Sequence, residues 1–276
     1  MPVVLLGGEP FLANAVASAM AAVSPEVRAI VPDAGDAEAL RSVGAKVAVG
    51  ATDDADLLEL VLSGAHTVCL LGPPRGWWDS NADGDPVGEL EMVLEQARSS
   101  RIKRVLAIGS ATRNAVEQRR TLVEEAEIPS VFVRTNLVYG PGSPLFGLLA
   151  ALARSKPVAR VIGPGSQRWA PVSSEDLARV LAAADDRAEL VSGTFGLDGP
   201  DVVSADELAD LLAGRHRSVR RHVTRPTRAG QGVAEPTSDV LAFLSQDVLA
   251  GPPSAAEEFG VVPLTPLREG LARSFP

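Results

Sequence analysis

The chain has 276 residues, 46% apolar and 22% charged, with a formal net charge of −9. That length buries a large core, and at roughly 150 residues per domain it makes one large domain or one with a smaller appendage. The acidic balance argues against nucleic acid as a partner, because phosphates are held by clustered Lys and Arg, and no apolar run approaches the roughly 18 residues of a membrane helix.

The single cysteine, Cys69, rules out an intrachain disulfide. It sits inside the apolar run Thr67 to Leu71, where a buried structural thiol is expected. The N-terminus lacks a basic region ahead of its apolar stretch, so no secretory signal is expected and the cytoplasm is the expected location. Arg217 to Arg228 is locally basic and reads as a solvated loop.

Val3 to Leu6 reads as a strand, Gly7-Gly8 as a tight turn, and the residues from Pro10 to Val23 follow helical spacing. A helix N-terminus carries unpaired N–H groups and positive dipole, so this turn is the natural seat for a pyrophosphate. Val27 to Val31 is a second strand, and Asp33 or Asp36 at its end has the chemistry to accept from a ribose hydroxyl or to cap a helix near Ala37. Ala45 to Val49 is a third strand, and His66 opens a fourth that ends at Leu71.

Gly72 to Glu89 (GPPRGWWDSNADGDPVGE) reads as a long loop from its Pro and Gly content. It begins at the end of a parallel strand, where open sheets bind ligands, so Trp77 and Trp78 are expected to cover the cleft or a subunit contact. Asp79, Asp83 and Asp85 match no metal-binding loop, and no metal is expected. Glu89 to Ser99 reads as an amphipathic helix, Arg104 to Ile108 as a strand, and Gly109 to Thr112 as a small turn. The polar run Arg113, Glu117, Gln118, Arg119 and Arg120 reads as the solvated face of the next helix. Val131 to Leu137, Leu145 to Arg154 and Pro236 to Leu249 are expected as a strand and two helices.

The alternation of strand and helix predicts an α/β fold with a doubly wound parallel sheet, a Rossmann fold. Several motifs resemble the extended and atypical short-chain dehydrogenase/reductase superfamily, of the NmrA-like or NAD-dependent epimerase/dehydratase-like kind. Around Phe11-Leu12 the turn is similar to T-G-x-x-G-F-I-G, with Gly7 at the first glycine, Pro10 at the second, Ala13 at the third and Leu6 at the threonine. Ala51 stands where the family's aspartate meets adenine. Val131 to Gly142 resembles L-R-P-x-x-V-Y-G-P, VIGPGSQRW resembles G-x-G-x-x-R-W, and FGVVPLTPLREGL resembles the family's C-terminal segment.

The resemblance implies a dinucleotide-binding core over 1–138, completed by 170–198, and a smaller substrate-side part over most of 139–276. It implies an NAD or NADP site at Gly7, Pro10, Phe11 and Leu12, with Asp33, Leu71, Gly72 and Asn136 bordering the cofactor, and binding weakened or lost through the missing contacts. Trp77, Trp78 and Tyr139 would face the substrate, and Ser110 with Thr112 would supply the catalytic hydroxyls.

The family's redox chemistry uses a tyrosine and a lysine four residues later. The only tyrosine here is Tyr139, followed four residues on by Ser143, and the lysines are Lys46, Lys103 and Lys156, so no such pair exists. Counting back from the matched strand sets Thr112 and Val116 near its place.

The sequence supports three functions. The first is a non-catalytic or sensor-like protein that binds a dinucleotide or another small molecule and reports to a protein partner. The second is an NAD(P)-dependent oxidoreductase, epimerase or dehydratase with a substituted acid. The third is a non-redox isomerase or cyclase on the same scaffold. A homodimer is the expected assembly.

Overall fold

A computed structural model describes residues 1–72, 86–110, 114–214, 219–224, 236 and 238–275. β1 (Val3–Leu6) leads through the Gly7-Gly8 turn into α1 (Pro10–Val23), and β2 (Val27–Val31), α2 (Ala34–Ser42) and β3 (Lys46–Val49) follow. Then come α3 (Ala55–Leu62), β4 (Thr67–Leu70), α4 (Pro86–Ser99), β5 (Arg104–Ser110), α5 (Asn114–Glu125) and β6 (Ser130–Thr135). The second half begins with β7 (Val138–Tyr139), α6 (Pro144–Ala153), β8 (Ala159–Ile162), β9 (Arg168–Trp169), β10 (Val172–Ser173) and α7 (Ser174–Asp186). It ends with β11 (Gly193–Leu197), β12 (Val203–Ser204), α8 (Ala205–Ala213), β13 (Arg220–Val223), α9 (Ser238–Leu244), α10 (Ala255–Glu258) and α11 (Leu267–Ser274).

Seven strands form one parallel sheet in the order β3-β2-β1-β4-β5-β6-β11. Parallel strands covered on both faces read as continuous apolar runs, and every residue of VVLL in β1 and TVCL in β4 is buried. Alternate side chains feed two cores. Val3 and Leu5 join α1, α2 and α7 on one face, while Val4 and Leu6 join α3 and α4 on the other. The edge strand β3 is only partly covered and begins with exposed Lys46, a charge that discourages further pairing.

A third apolar cluster gathers Leu137, Tyr139, Trp169 and the inner faces of α6, α8, α9 and α11. Three carboxylates hold backbone N–H groups of the C-terminal segment. Asp198 accepts from Ala250 at 2.8 Å and Gly251 at 3.1 Å, Asp176 from Thr265 at 2.8 Å, and Asp201 from Leu267 at 2.7 Å. Such charge-assisted bonds are among the stronger ones in proteins.

Arg104 is 1% exposed at the start of β5. Its guanidinium donates to the carbonyls of Ala184 at 2.7 Å, Arg187 at 2.8 Å and Glu189 at 3.0 Å, and also to that of Asp185. One side chain thereby satisfies two carbonyls that the last turn of α7 leaves without intrahelical partners, those of Ala184 and Asp185, and two more from the segment that follows.

Two expected elements come out differently. The helix expected over Pro236 to Leu249 closes at Leu244, because the Ser245 hydroxyl bonds back to the Leu241 carbonyl at 2.6 Å and Val248 bridges to Trp169. Within the basic stretch expected as a loop, Arg220 to Val223 form a strand parallel to β8, and Arg220 pairs with Asp210 at 2.5 Å. Among the described residues, no helix is long and apolar enough to cross a membrane.

Candidate functional site

The order of the sheet reverses between β1 and β4. From β1 the chain winds outward through β2 to β3, and from β4 it winds the opposite way through β5 and β6. Open α/β sheets take their ligands in the crevice at such a point, beyond the carboxyl ends of the strands.

Gly7 and Gly8 follow β1 into this crevice with φ of 69° and 86°, a left-handed conformation that side chains rarely adopt. Gly8 donates to the carbonyl of Gly72 at 3.1 Å, which ties the turn after β1 to the loop after β4. A Cβ on Gly8 would stand 2.7 Å from Leu71 Cβ, so the approach of the two loops requires glycine. Pro10 occupies the first turn of α1, where its fixed φ suits the helix and its missing N–H breaks no ladder bond. Leu12 and Ala13 both donate to the Glu9 carbonyl at 2.9 Å.

Two depressions meet at Gly7. Both are small, enclosing about 40 Å³ and about 20 Å³, and both open to solvent. One lies toward β2 and is lined by Gly7, Gly8, Pro10, Pro32 and Asp36. The other lies toward α4 and α5, where Gly7 and Gly72 are joined by Thr52, Glu89 and Arg119. Thr52 donates its hydroxyl proton to Glu89.

The residues singled out from sequence fall into distinct places. Gly7, Pro10 and Gly72 line the two depressions. Leu12 and Leu71 are buried in the core beneath them, which leaves their backbones as the parts near a ligand. Phe11 is half-buried and lies by Gly140, whose Cβ would stand 3.1 Å from the Phe11 ring. Asp33 is the N-cap of α2 but makes no side-chain cap bond, and it is exposed, whereas Asp36 is the carboxylate that lines the crevice. Asn136 is 5% exposed and engaged at both ends: its amide donates to Asp198 at 2.5 Å and its oxygen accepts from the Leu137 amide.

Tyr139 is displaced furthest from its expected role. It is 0% exposed, stacks at a tilt on Phe146 with centroids 5.6 Å apart, and its hydroxyl has no hydrogen-bond partner. Burial pushes its phenol well above the usual range, with Asp176 adding to the shift. Instead of forming a wall on the substrate side, this ring is part of the C-terminal core. Ser110 ends β5 opposite Thr135 of β6. Its side chain, Thr112, Trp77, Trp78 and the aspartates at 79, 83 and 85 lie outside the described residues.

Thr52, Glu89 and Arg119 carry no ligand motif that sequence alone would single out. Arg120 does lie on the charged face expected of α5, pairing with Glu117 at 2.9 Å and with Glu124 at 2.5 Å. Arg119 turns inward, four and seven residues before the buried Val123 and Ala126, and that spacing is its signal. Cys69 is fully buried, and desolvation pushes its thiol well up, as befits an unreactive core residue. Among the described residues no group of three His, Cys, Asp or Glu side chains is placed to hold a metal ion.

No family model matches the sequence, and no curated protein matches it either. Solved structures do match the fold. Citrobacter sp. triphenylmethane reductase, crystallised with NADP(H), superimposes with a TM-score of 0.74 at 18% identity, covering 99% of this chain and 100% of that one. Bacillus cereus UDP-glucuronic acid 4-epimerase, in complex with UDP-glucuronic acid and NAD, gives 0.73 at 16% identity, with 100% and 98% covered. Thermotoga maritima UDP-glucose 4-epimerase, with UDP-glucose, gives 0.72 at 16%, with 100% and 97% covered. The chain is similar to these reductases and epimerases over its whole length, and it shares their Rossmann-type architecture.

Proposed function

We propose that this protein binds a nicotinamide dinucleotide across the Gly7-Gly8 turn and acts as a sensor-like member of its structural class, without a Tyr–Lys proton relay. The observation that carries the reading is the turn itself: two glycines with left-handed φ lead from β1 into the N-terminus of α1 at the point where the sheet reverses. The N-terminal end of α1 and the crevice carboxylate fit the group, with the pyrophosphate over the turn and a ribose at Asp36. Bound there, a nicotinamide would supply hydride chemistry.

The family's usual route for the accompanying proton is missing from this chain. Its sole tyrosine is sealed in the C-terminal core with its phenol held protonated, and no lysine follows it at the required spacing. Asp36 in the crevice, with no Lys or Arg among the described residues lining that depression, disfavours a 2′-phosphate and favours NAD over NADP. The part from 139 onward is assigned the side facing a small-molecule ligand or a protein partner.

The reductase and epimerase neighbours support a second reading, in which Ser110 or Thr112 hands over the proton in a working enzyme. Titration with NADH and NADPH followed by fluorescence, then incubation with a panel of carbonyl substrates, separates the two. The sensor reading expects saturable NADH binding without oxidation of the nicotinamide. Turnover that depends on Ser110 or Thr112 replaces it with the second.

A further inference from the structure

On the α4/α5 side of Gly7, polar side chains from three separate segments meet over the ends of β1 and β4. Thr52, from the loop after β3, is 7% exposed and donates to Glu89 in α4. Arg119 reaches in from α5, near enough for the Glu89 charge to act on it, and its Nε is buried with no hydrogen-bond partner. Burial pushes the Arg119 guanidinium below its usual range, and the Glu89 carboxylate opposes the shift. Leu6, Leu70, Leu90 and Val93 supply apolar walls.

Among the described residues the lining therefore offers one acceptor-only group and one donor-only group between apolar surfaces. A phosphate or carboxylate in this place suits Arg119 and is repelled by Glu89, and an ammonium meets the reverse difficulty. An apolar group leaves the buried Nε–H unpaired, which is costly. A flat, neutral heterocycle with an N–H donor beside a ring-nitrogen acceptor satisfies both residues and fills the apolar gap.

We propose that Glu89 and Arg119 read the base of the bound dinucleotide, Glu89 accepting from the 6-amino group of adenine and Arg119 donating to N1. The inference rests on the dinucleotide reading above and adds to it the residues that choose the base. Hypoxanthine presents the opposite pattern, a carbonyl oxygen toward Glu89 and an N1–H toward Arg119, so it places like against like at both positions.

The test is equilibrium binding of NAD and of nicotinamide hypoxanthine dinucleotide to the full chain. The wild type is expected to favour NAD by about tenfold or more, the effect of one good hydrogen bond to a charged group. Glu89→Gln, whose amide can donate to a carbonyl, is expected to bring the two within about threefold. Arg119→Met is expected to weaken NAD more than the hypoxanthine analogue. Because the ratio is read within one protein, a partly unfolded variant lowers both affinities and leaves it unchanged. Equal binding of the two dinucleotides to wild type, or a preference untouched by Glu89→Gln, overturns the inference while the dinucleotide reading stands. If neither dinucleotide binds wild type, both the inference and the dinucleotide reading fall.

Discussion

Gly8 and Leu71 approach so closely that a Cβ on the glycine would stand 2.7 Å from the Cβ of the leucine. The contact joins the turn after β1 to the loop after β4, and the Gly8 amide adds a hydrogen bond to Gly72 at 3.1 Å. Gly8→Ala meets both the clash and a φ of 86°. It is expected to cost about 1–3 kcal/mol in urea unfolding and to weaken NADH binding by about tenfold or more. Unchanged NADH affinity in a folded Gly8→Ala protein would place the ligand elsewhere.

Tyr139→Phe removes a buried hydroxyl that has no hydrogen-bond partner. The space around that hydroxyl is tight, since a Cβ on Gly270 would collide with it. The substitution is expected to leave the unfolding midpoint unchanged or to raise it, by up to about 1 kcal/mol in stability, and to leave dinucleotide affinity as it was. A loss of ligand binding or of turnover on Tyr139→Phe would return this residue to the site.

Arg104→Met leaves the carbonyls of Ala184, Asp185, Arg187 and Glu189 without their shared donor. The expected loss is about 3–5 kcal/mol, the range for breaking a buried charged network. Equilibrium denaturation measures it. Arg104→Lys is expected to recover only part, because an ammonium cannot reach all four carbonyls in the guanidinium geometry.

His66 provides a pH dependence with a definite sign. Burial lowers its pKa below the ordinary 6.5, with the Asp185 charge opposing the shift. The folded protein therefore binds a proton less readily here than the unfolded chain does. This contribution to stability is whole above about pH 6.5 and is lost as pH falls through that value toward the lower folded pKa. Urea midpoints measured at about pH 7.5 and about pH 5.5 are expected to fall with pH in wild type. His66→Gln should reduce that difference, and an unchanged slope would assign it to other groups.

The sheet was legible because parallel strands buried on both sides leave continuous apolar runs, as in Val3 to Leu6 and Thr67 to Leu71. The turn was legible because glycines in sequence mark a conformation that other residues avoid. What could not be read were the partners contributed by distant parts of the chain. Arg104 looks like an ordinary charge opening a strand until α7 and the segment after it bring four carbonyls to it. Tyr139 sits in a segment that resembles a ligand-side turn, yet the side chain points to Phe146 and is closed over by Gly270, both outside that segment.

Arg119 groups with its charged neighbours as a solvated face when composition alone is weighed, because a run of like residues hides the one that turns inward. Only its spacing from Val123 and Ala126 tells against that. Asp33 and Asp36 are both candidates at the end of β2, and the first turn of α2 decides between them: it aims Asp36 at the crevice and leaves Asp33 exposed.

The most direct measurement is a crystal structure of the protein grown with NAD. The account predicts the pyrophosphate over Gly7 and Gly8 at the N-terminus of α1, a ribose hydroxyl on Asp36, and the adenine between Glu89 and Arg119. Density for the dinucleotide at another surface, or a crevice left without it at saturating NAD, would contradict the account.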